Sequence, residues 1–237
     1  MDIILIPGLW LDAASWEPVT AALTSAGHRV EAMTLPGVGE PTERSAEIGM
    51  DDWVAAVTAR IDAAPGPVVL VGHSGGGNVA WGAADARPDR IARVVFVDTI
   101  PPAPGRGISE FEVLDGVVPF PGWDFFPDED VHDLDAATRA RTAPLMKSVP
   151  ARVPSDPLTL TDPRRHAVAV TLLMGAYDQA SLEAEVDDWG PYGDEYQAIT
   201  DVEVVRIGSA HWPQFSVPDR LAKLLAEVVS RTDRTTD

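Results

Sequence analysis

One serine in the chain stands between glycines, in the pattern Gly-x-Ser-x-Gly within residues 72–77. Four consecutive apolar residues, Val68–Val71, come before it, and helix-compatible residues follow from Asn78. Such a pattern between a strand and a helix is typical of a tight, strained turn that exposes the serine hydroxyl above the edge of a sheet. The alternative is a glycine-rich turn that binds phosphate or only packs, but the chain lacks both the G-x-G-x-x-G pattern and a P-loop lysine here. We therefore predict that Ser74 is a nucleophile.

A serine hydroxyl becomes a good nucleophile only when a base takes its proton. Five histidines compete for that role: His28, His73, His132, His166 and His211. His211 comes just after the last apolar run, Val202–Ile207, and loops that follow parallel strands share one edge of a sheet. His73 lies within the serine turn itself and is expected to point away from the hydroxyl. The sequence therefore predicts His211 as the general base.

A histidine base needs a carboxylate that holds its tautomer and stabilises the imidazolium. Asp178 follows the apolar run Val168–Met174 and gives the chain order Ser, Asp, His, which is known in serine hydrolases. Asp98 follows the run Ile91–Val97, one strand nearer the serine, and is the alternative. We predict Asp178 for this role.

Acyl transfer also needs backbone N–H groups that point at the oxyanion of the tetrahedral intermediate. One is expected from Gly75, directly after the serine. The other is expected from Leu9, in the loop that follows the first apolar run, and Trp10 is the alternative.

Short apolar runs alternate with helical patterns along the chain, which predicts a doubly wound α/β fold. The runs are Ile3–Ile6, Val30–Leu35, Val68–Val71, Ile91–Val97, Val168–Met174 and Val202–Ile207. We expect a mainly six-stranded parallel sheet with helices on both faces, and with the second run at one edge, followed by the first, third, fourth, fifth and sixth.

One segment breaks this alternation, because residues 101–163 hold 11 of the 21 prolines. Long loops in compact domains are usually functional, so we predict a core of residues 1–99 and 164–237 with a cap, or lid, of residues 100–163. The alternative is an ordered surface excursion that does not gate the site.

Composition excludes several classes of function. Lys and Arg number 18 against 37 Asp and Glu, and the net charge of −19 disfavours nucleic acids, anionic membrane surfaces and highly anionic substrates. Cysteine is absent, so disulfides and thiolate chemistry are excluded. There is neither an apolar run of membrane-spanning length nor a basic leader with a cleavage site, and we expect a cytoplasmic protein. The oligomeric state is not predicted.

The motifs together resemble those of the α/β-hydrolase superfamily, and in particular its small esterase and hydroxynitrile-lyase-like branch. The matching segments are 6–10 through Trp16, 27–30, 72–76, 95–98 with 101–105, 175–178, and 208–212 followed by Pro218. The resemblance implies a Ser-His-Asp hydrolase that uses no metal and no organic cofactor and has a helical cap over its site. The family usually has His-Gly where this chain has Pro7-Gly8; proline removes one backbone donor and stiffens the loop.

These observations predict hydrolysis of a small, uncharged carboxylic ester through an acyl-enzyme, with a small-molecule substrate as the partner. The substrate pocket is expected to be apolar and aromatic, formed by Trp10, Trp212, Phe215, Trp123, Phe125 and Phe126. The same site could belong to a lactonase, thioesterase, C–C hydrolase or lyase, since one fold hosts many reactions. A non-catalytic small-molecule binding protein on the same scaffold is the alternative outside enzymes.

Overall fold

The computed structural model describes residues 1–235, so that positions 236 and 237 of the predicted core lie outside the described residues. Within that range, six parallel strands form one sheet in the order β2-β1-β3-β4-β7-β8. The strands are β1 (Asp2–Ile6), β2 (Arg29–Ala32), β3 (Val68–His73), β4 (Ile91–Val97), β7 (Val170–Met174) and β8 (Val202–Arg206). This order is the predicted one, and the α/β-hydrolase fold class is confirmed.

Strand position in the sheet explains the two kinds of strand sequence. All six residues of β3 are buried, because β3 lies between β1 and β4 and has helices on both faces. A continuous apolar run satisfies both faces at once. β2 lies at the edge, and there Arg29 and Glu31 are exposed.

Helices cover both faces of the sheet. The helices are α1 (Glu17–Ser25), α2 (Thr42–Ser45), α3 (Met50–Ala63), α4 (Gly75–Ala86), α5 (Asp128–Val131), α6 (Ala136–Thr142), α7 (Gln179–Glu185), α8 (Pro191–Ala198), α9 (Pro213–Ser216) and α10 (Pro218–Thr235). Side chains alternate between the two faces along a strand. Val68 and Leu70 of β3 therefore join the core formed with α3 and α4, whereas Val69 and Val71 join the core formed with α1 and α10.

Residues 100–163 lie in the connection between β4 and β7 and form short elements. They contain α5, α6 and a small antiparallel pair, β5 (Val117–Val118) with β6 (Val149–Pro150). Within residues 1–235, none of the helices combines the length and the apolar character that a bilayer span requires.

Candidate active site

Ser74 lies on a sharp turn between β3 and α4. Its backbone has φ 51° and ψ −126°, a left-handed conformation that L residues adopt only when the surroundings impose it. The turn is tight because the first turn of α4 packs against the end of β1. A Cβ on Gly76 would lie 2.5 Å from the carbonyl oxygens of Ile6 and Pro7. Only glycine permits this approach. The serine is thereby held at the carboxyl edge of the sheet.

The imidazole of His211 lies within hydrogen-bond distance of that serine. Ser74 Oγ donates to His211 Nε2 at 2.9 Å. The loop that carries His211 leaves β8, two strands beyond β4, and crosses the end of β7, where Gly208 N–H donates to the carbonyl of Gly175 at 2.9 Å. The loop therefore reaches the middle of the sheet, and the structure brings together the two residues that the sequence places at one edge.

The carboxylate beside His211 is Asp98, which corrects the prediction of Asp178. His211 Nδ1 donates to Asp98 Oδ2 at 2.7 Å, and Gly175 N–H donates to Asp98 Oδ1 at 2.7 Å. Burial alone would raise the pKa of Asp98, but these hydrogen bonds and the neighbouring imidazole hold it below its ordinary value. Asp98 is thus kept as the anion that a histidine base requires.

Asp178 has a different function in the structure. It is exposed and caps the N-terminus of α7, where its Oδ1 accepts the backbone N–H of Ser181 at 2.9 Å. That backbone hydrogen bond lowers the pKa of Asp178. The chain turns outward into α7 directly after Gly175, so β7 supplies a backbone donor to the site and not its acid.

The loop after β1 is packed against Ser74. A Cβ on Gly8 would lie 3.1 Å from Ser74 Cβ, and one on Gly75 would lie 3.3 Å from Leu9 Cγ. Gly75 is the first residue of α4, and the first N–H groups of a helix have no partner within it. Within residues 1–235, the N–H groups of Leu9 and Trp10 likewise have no backbone acceptor. The start of α4 and the loop after β1 therefore both offer unpaired backbone donors near Ser74, and Leu9 and Trp10 are both candidates in that loop.

Two side chains missed by sequence reasoning hold the His211 loop in place. His73 Nε2 donates to the carbonyl of His211 at 2.7 Å, and Gln214 donates to His73 Nδ1 at 3.2 Å. Burial, together with the charge of nearby His211, lowers the pKa of His73 to about 3. His73 therefore stays neutral and positions the loop. The sequence signal was only its place beside Ser74.

The predicted cap segment also contacts this loop. The backbone N–H of His211 donates to the carbonyl of Asp130 at 3.1 Å, and that of Ala210 donates to Asp133 Oδ2 at 2.8 Å. Lys147 N–H donates to the carbonyl of Trp10 at 2.9 Å. The segment thus holds both the histidine loop and the loop after β1.

A small cavity of about 180 Å³ opens onto Ser74 and His211. Its lining residues are Leu9, Trp10, His73, Ser74, Ile108, Ser109, Phe111, Phe126, Asp130, His211 and Trp212. Of the six predicted pocket residues, it contains Trp10, Trp212 and Phe126. It also contains Phe111, Ile108 and Asp130, which sequence reasoning missed. These residues lie in the predicted cap, residues 100–163, where no regular spacing shows which side chains face the site.

The other three predicted pocket residues lie elsewhere. Trp123 is buried behind the pocket wall, with its ring centroid 5.0 Å from that of Trp212, and Phe215 packs against Trp123 on the same side. Phe125 is 58% exposed and lines an outer cavity of about 530 Å³. Phe111 is the residue that the linings of the two cavities share.

Among the described residues, there is no group of three or more His, Asp or Glu side chains that could hold a metal ion.

Comparison with known proteins identifies the family of the chain. The sequence profile of the alpha/beta hydrolase family matches residues 3–224. The probable esterase PIR7A of Oryza sativa subsp. indica is 28% identical over 97% of both chains. The carbendazim hydrolyzing esterase of Nocardioides sp. (strain SG-4G) is 26% identical over 95% of this chain and 98% of its own.

Solved structures share the architecture. The methylesterase MES16 from Arabidopsis superposes with a TM-score of 0.72 at 22% identity, over 97% of this chain and 99% of that one. A tomato methylketone synthase I variant superposes with a TM-score of 0.73 at 18% identity, over 98% of each chain. With the profile match over nearly the whole length, the chain belongs to the alpha/beta hydrolase family and is an esterase-like hydrolase of that fold.

Proposed function

We propose that the protein hydrolyses a small, uncharged carboxylic ester through an acyl-enzyme formed on Ser74. The observation that carries this proposal is the unbroken hydrogen-bond chain from Ser74 Oγ through both ring nitrogens of His211 to Asp98. A serine hydroxyl bonded to a neutral imidazole that a carboxylate orients is the arrangement that activates a hydroxyl.

The steps follow from this chain of contacts. Ser74 Oγ forms a bond to the ester carbonyl carbon while its proton passes to His211 Nε2, and Asp98 stabilises the imidazolium. The N–H groups of Gly75 and Leu9 stabilise the oxyanion. The intermediate then collapses, and the leaving alcohol takes the proton from Nε2. A water molecule repeats the sequence on the acyl-enzyme, which releases the carboxylic acid and restores Ser74.

The size and lining of the cavity support a small substrate. Ligand pockets commonly measure roughly 300–1,000 Å³, whereas this one measures about 180 Å³. Its walls are mainly apolar and aromatic, which favours uncharged groups. Two full-length relatives are named as esterases, and this supports an ester over other acyl compounds.

Residues 100–163 are proposed as the cap over this site. Phe111, Phe126 and Asp130 of that segment supply one wall of the cavity, while the loop after β1 and His211 supply the other. The segment therefore limits what can reach Ser74.

A fluorophosphonate probe tests whether the serine is activated. We expect stoichiometric labelling of the wild-type protein, with the added mass on the peptide that contains Ser74, because the probe reacts only with an activated nucleophile. Ser74→Ala is the control and should take no label. Absence of label on the folded wild type, or a label on another residue, would contradict the proposal and favour a binding protein.

Phe111 is expected to set the acyl-chain length. Phe111→Ala removes the ring that lines both the 180 Å³ and the 530 Å³ cavity, and we expect this to join them. On p-nitrophenyl esters, we expect the ratio of kcat/KM for octanoate to that for acetate to rise by ~10-fold, the scale of hydrophobic pocket discrimination. Phe125→Ala is a matched control, since Phe125 lines only the outer cavity. An equal rise in both variants would show that Phe111 is no barrier.

A further inference from the structure

One residue with a carboxylate, Asp130, lines the mainly apolar catalytic cavity. Among residues 1–235, Asp130 is the only lining residue besides the two histidines with an ionisable side chain, and neither lysine nor arginine from that range lines the cavity. A charge in such a setting affects any charged group that enters, because the protein around it screens less than water does.

The position of Asp130 is fixed relative to the catalytic histidine. It lies in α5, and its carbonyl accepts the backbone N–H of His211 at 3.1 Å. Within residues 1–235, its carboxylate has neither an ion pair nor a side-chain hydrogen bond. Burial raises the pKa of Asp130; the charge of His211 opposes this rise, whereas the charge of Asp98 adds to it. The carboxyl group is therefore half-buried, uncompensated and within electrostatic range of the reacting atoms.

We propose that Asp130 is a specificity-determining residue that excludes esters carrying an anionic group and leaves neutral and cationic esters as substrates. The inference rests on the proposed ester hydrolysis at Ser74. Repulsion of unwanted ligands is a common source of specificity. A cationic group would meet attraction from the carboxylate and could also lie against the faces of Trp10, Phe111 and Trp212, which favour cations.

The net charge of −19 also repels anions, so the pocket charge must be separated from the charge of the whole surface. Glu129→Gln is a matched control for Asp130→Asn. Glu129 is the preceding residue on the same helix, is exposed and does not line the cavity. Both substitutions remove one negative charge and keep the shape of the side chain.

Three acetate esters of similar shape provide the test: 3-acetoxypropanoate as the anion, 3-methylbutyl acetate as the neutral ester and acetylcholine as the cation. Acid release is followed in a pH-stat at pH 8 and moderate salt. For Asp130→Asn we expect the ratio of kcat/KM for the anion to that for the neutral ester to rise by ~10-fold, and the cation-to-neutral ratio to fall by a similar factor. Glu129→Gln should leave both ratios within about 2-fold of wild type.

The outcomes separate the two proposals. Equal shifts in both variants would assign the effect to the surface charge and overturn the role of Asp130. Unchanged ratios in Asp130→Asn would also overturn that role. So would an equal loss of kcat/KM on all three esters, because such a loss would mean that Asp130 acts through His211 and not on the charge of the substrate. If wild type cleaves none of the three and takes no fluorophosphonate label, the proposed function itself fails, and this inference fails with it.

Discussion

Asp98→Asn is expected to lower kcat by ~10⁴-fold, while Asp178→Asn stays within about 2-fold of wild type. The reason lies in the second oxygen of Asp98, which accepts the N–H of Gly175 at 2.7 Å. An asparagine in this position would keep its amide oxygen on that N–H and turn its NH₂ group toward His211 Nδ1. Nδ1 would then have to accept, the ring proton would move to Nε2, and Nε2 could no longer take the proton of Ser74.

Asp178→Asn is a suitable comparison because asparagine caps helices about as well as aspartate, so α7 should stay intact. Steady-state kinetics on a p-nitrophenyl ester, with thermal unfolding of each variant to establish that it is folded, checks both halves of the prediction. A large loss in Asp178→Asn together with near-normal turnover in Asp98→Asn would reverse the assignment that the geometry supports.

The error over the acid has a specific physical origin. Both aspartates follow strands of the sheet at the same edge, and both give the chain order Ser, Asp, His, so neither signal distinguishes them. The deciding feature is tertiary: the loop after β8 crosses Gly175, so close that a Cβ there would lie 2.5 Å from the carbonyl oxygen of Ser209 and 2.9 Å from Asp98 Oδ1. A crossing between residues so far apart in the chain has no local sequence pattern.

The sheet order and the location of Ser74 and His211 were accessible because apolar periodicity and turn chemistry are local. The part of the cavity lining that comes from residues 100–163 could not be predicted in this way. The aromatic residues of this segment lie on short elements joined by prolines, so spacing cannot show which ring faces the cavity and which, like Trp123, packs behind it. Asp130 was missed for another reason: the chain has 37 acidic residues, and the sequence does not show which of them lines a cavity.

A second large effect concerns stability, at a buried ionic network beside α4. Arg165 donates to Glu195 at 2.7 and 3.0 Å and to Asp85 at 3.1 Å, and its side chain is only 6% exposed. Trp81 of α4 donates to Glu195 Oε1 at 2.8 Å, and this oxygen also accepts the 2.7 Å hydrogen bond from Arg165. Burial raises the pKa of Glu195, but the hydrogen bonds from Arg165 and Trp81 outweigh this and lower it. The network therefore ties α4 to α8 and to the segment before β7.

Arg165→Met is expected to lower the free energy of unfolding by about 3–5 kcal/mol, because it removes the arginine that pairs with both Glu195 and Asp85 and leaves Glu195, among the described residues, only the ion-pair contact with His166 Nε2 at 3.0 Å. For a domain of this size, that corresponds to a fall in Tm of roughly 6–20 °C. Arg164→Met is the matched control: it removes the same charge from the adjacent residue, but that side chain is 61% exposed, and solvent screens its ion pairs with Asp162 and Asp89, so a much smaller loss is expected. Equal losses in the two variants would contradict the role of burial.

The double variant Arg165→Met/Glu195→Gln separates lost charge pairing from lost packing. A neutral glutamine can still accept the Trp81 N–H through its amide oxygen, but it no longer places an uncompensated charge in the interior. If unpaired charge is the cause, this variant should unfold at a higher temperature than Arg165→Met alone. The deficit of Arg165→Met should also narrow as the pH falls from 7 toward 4, since a glutamate freed from Arg165 takes up a proton more readily than the paired one. A double variant no more stable than the single one, with a deficit that does not change with pH, would instead assign the loss to the missing arginine stem.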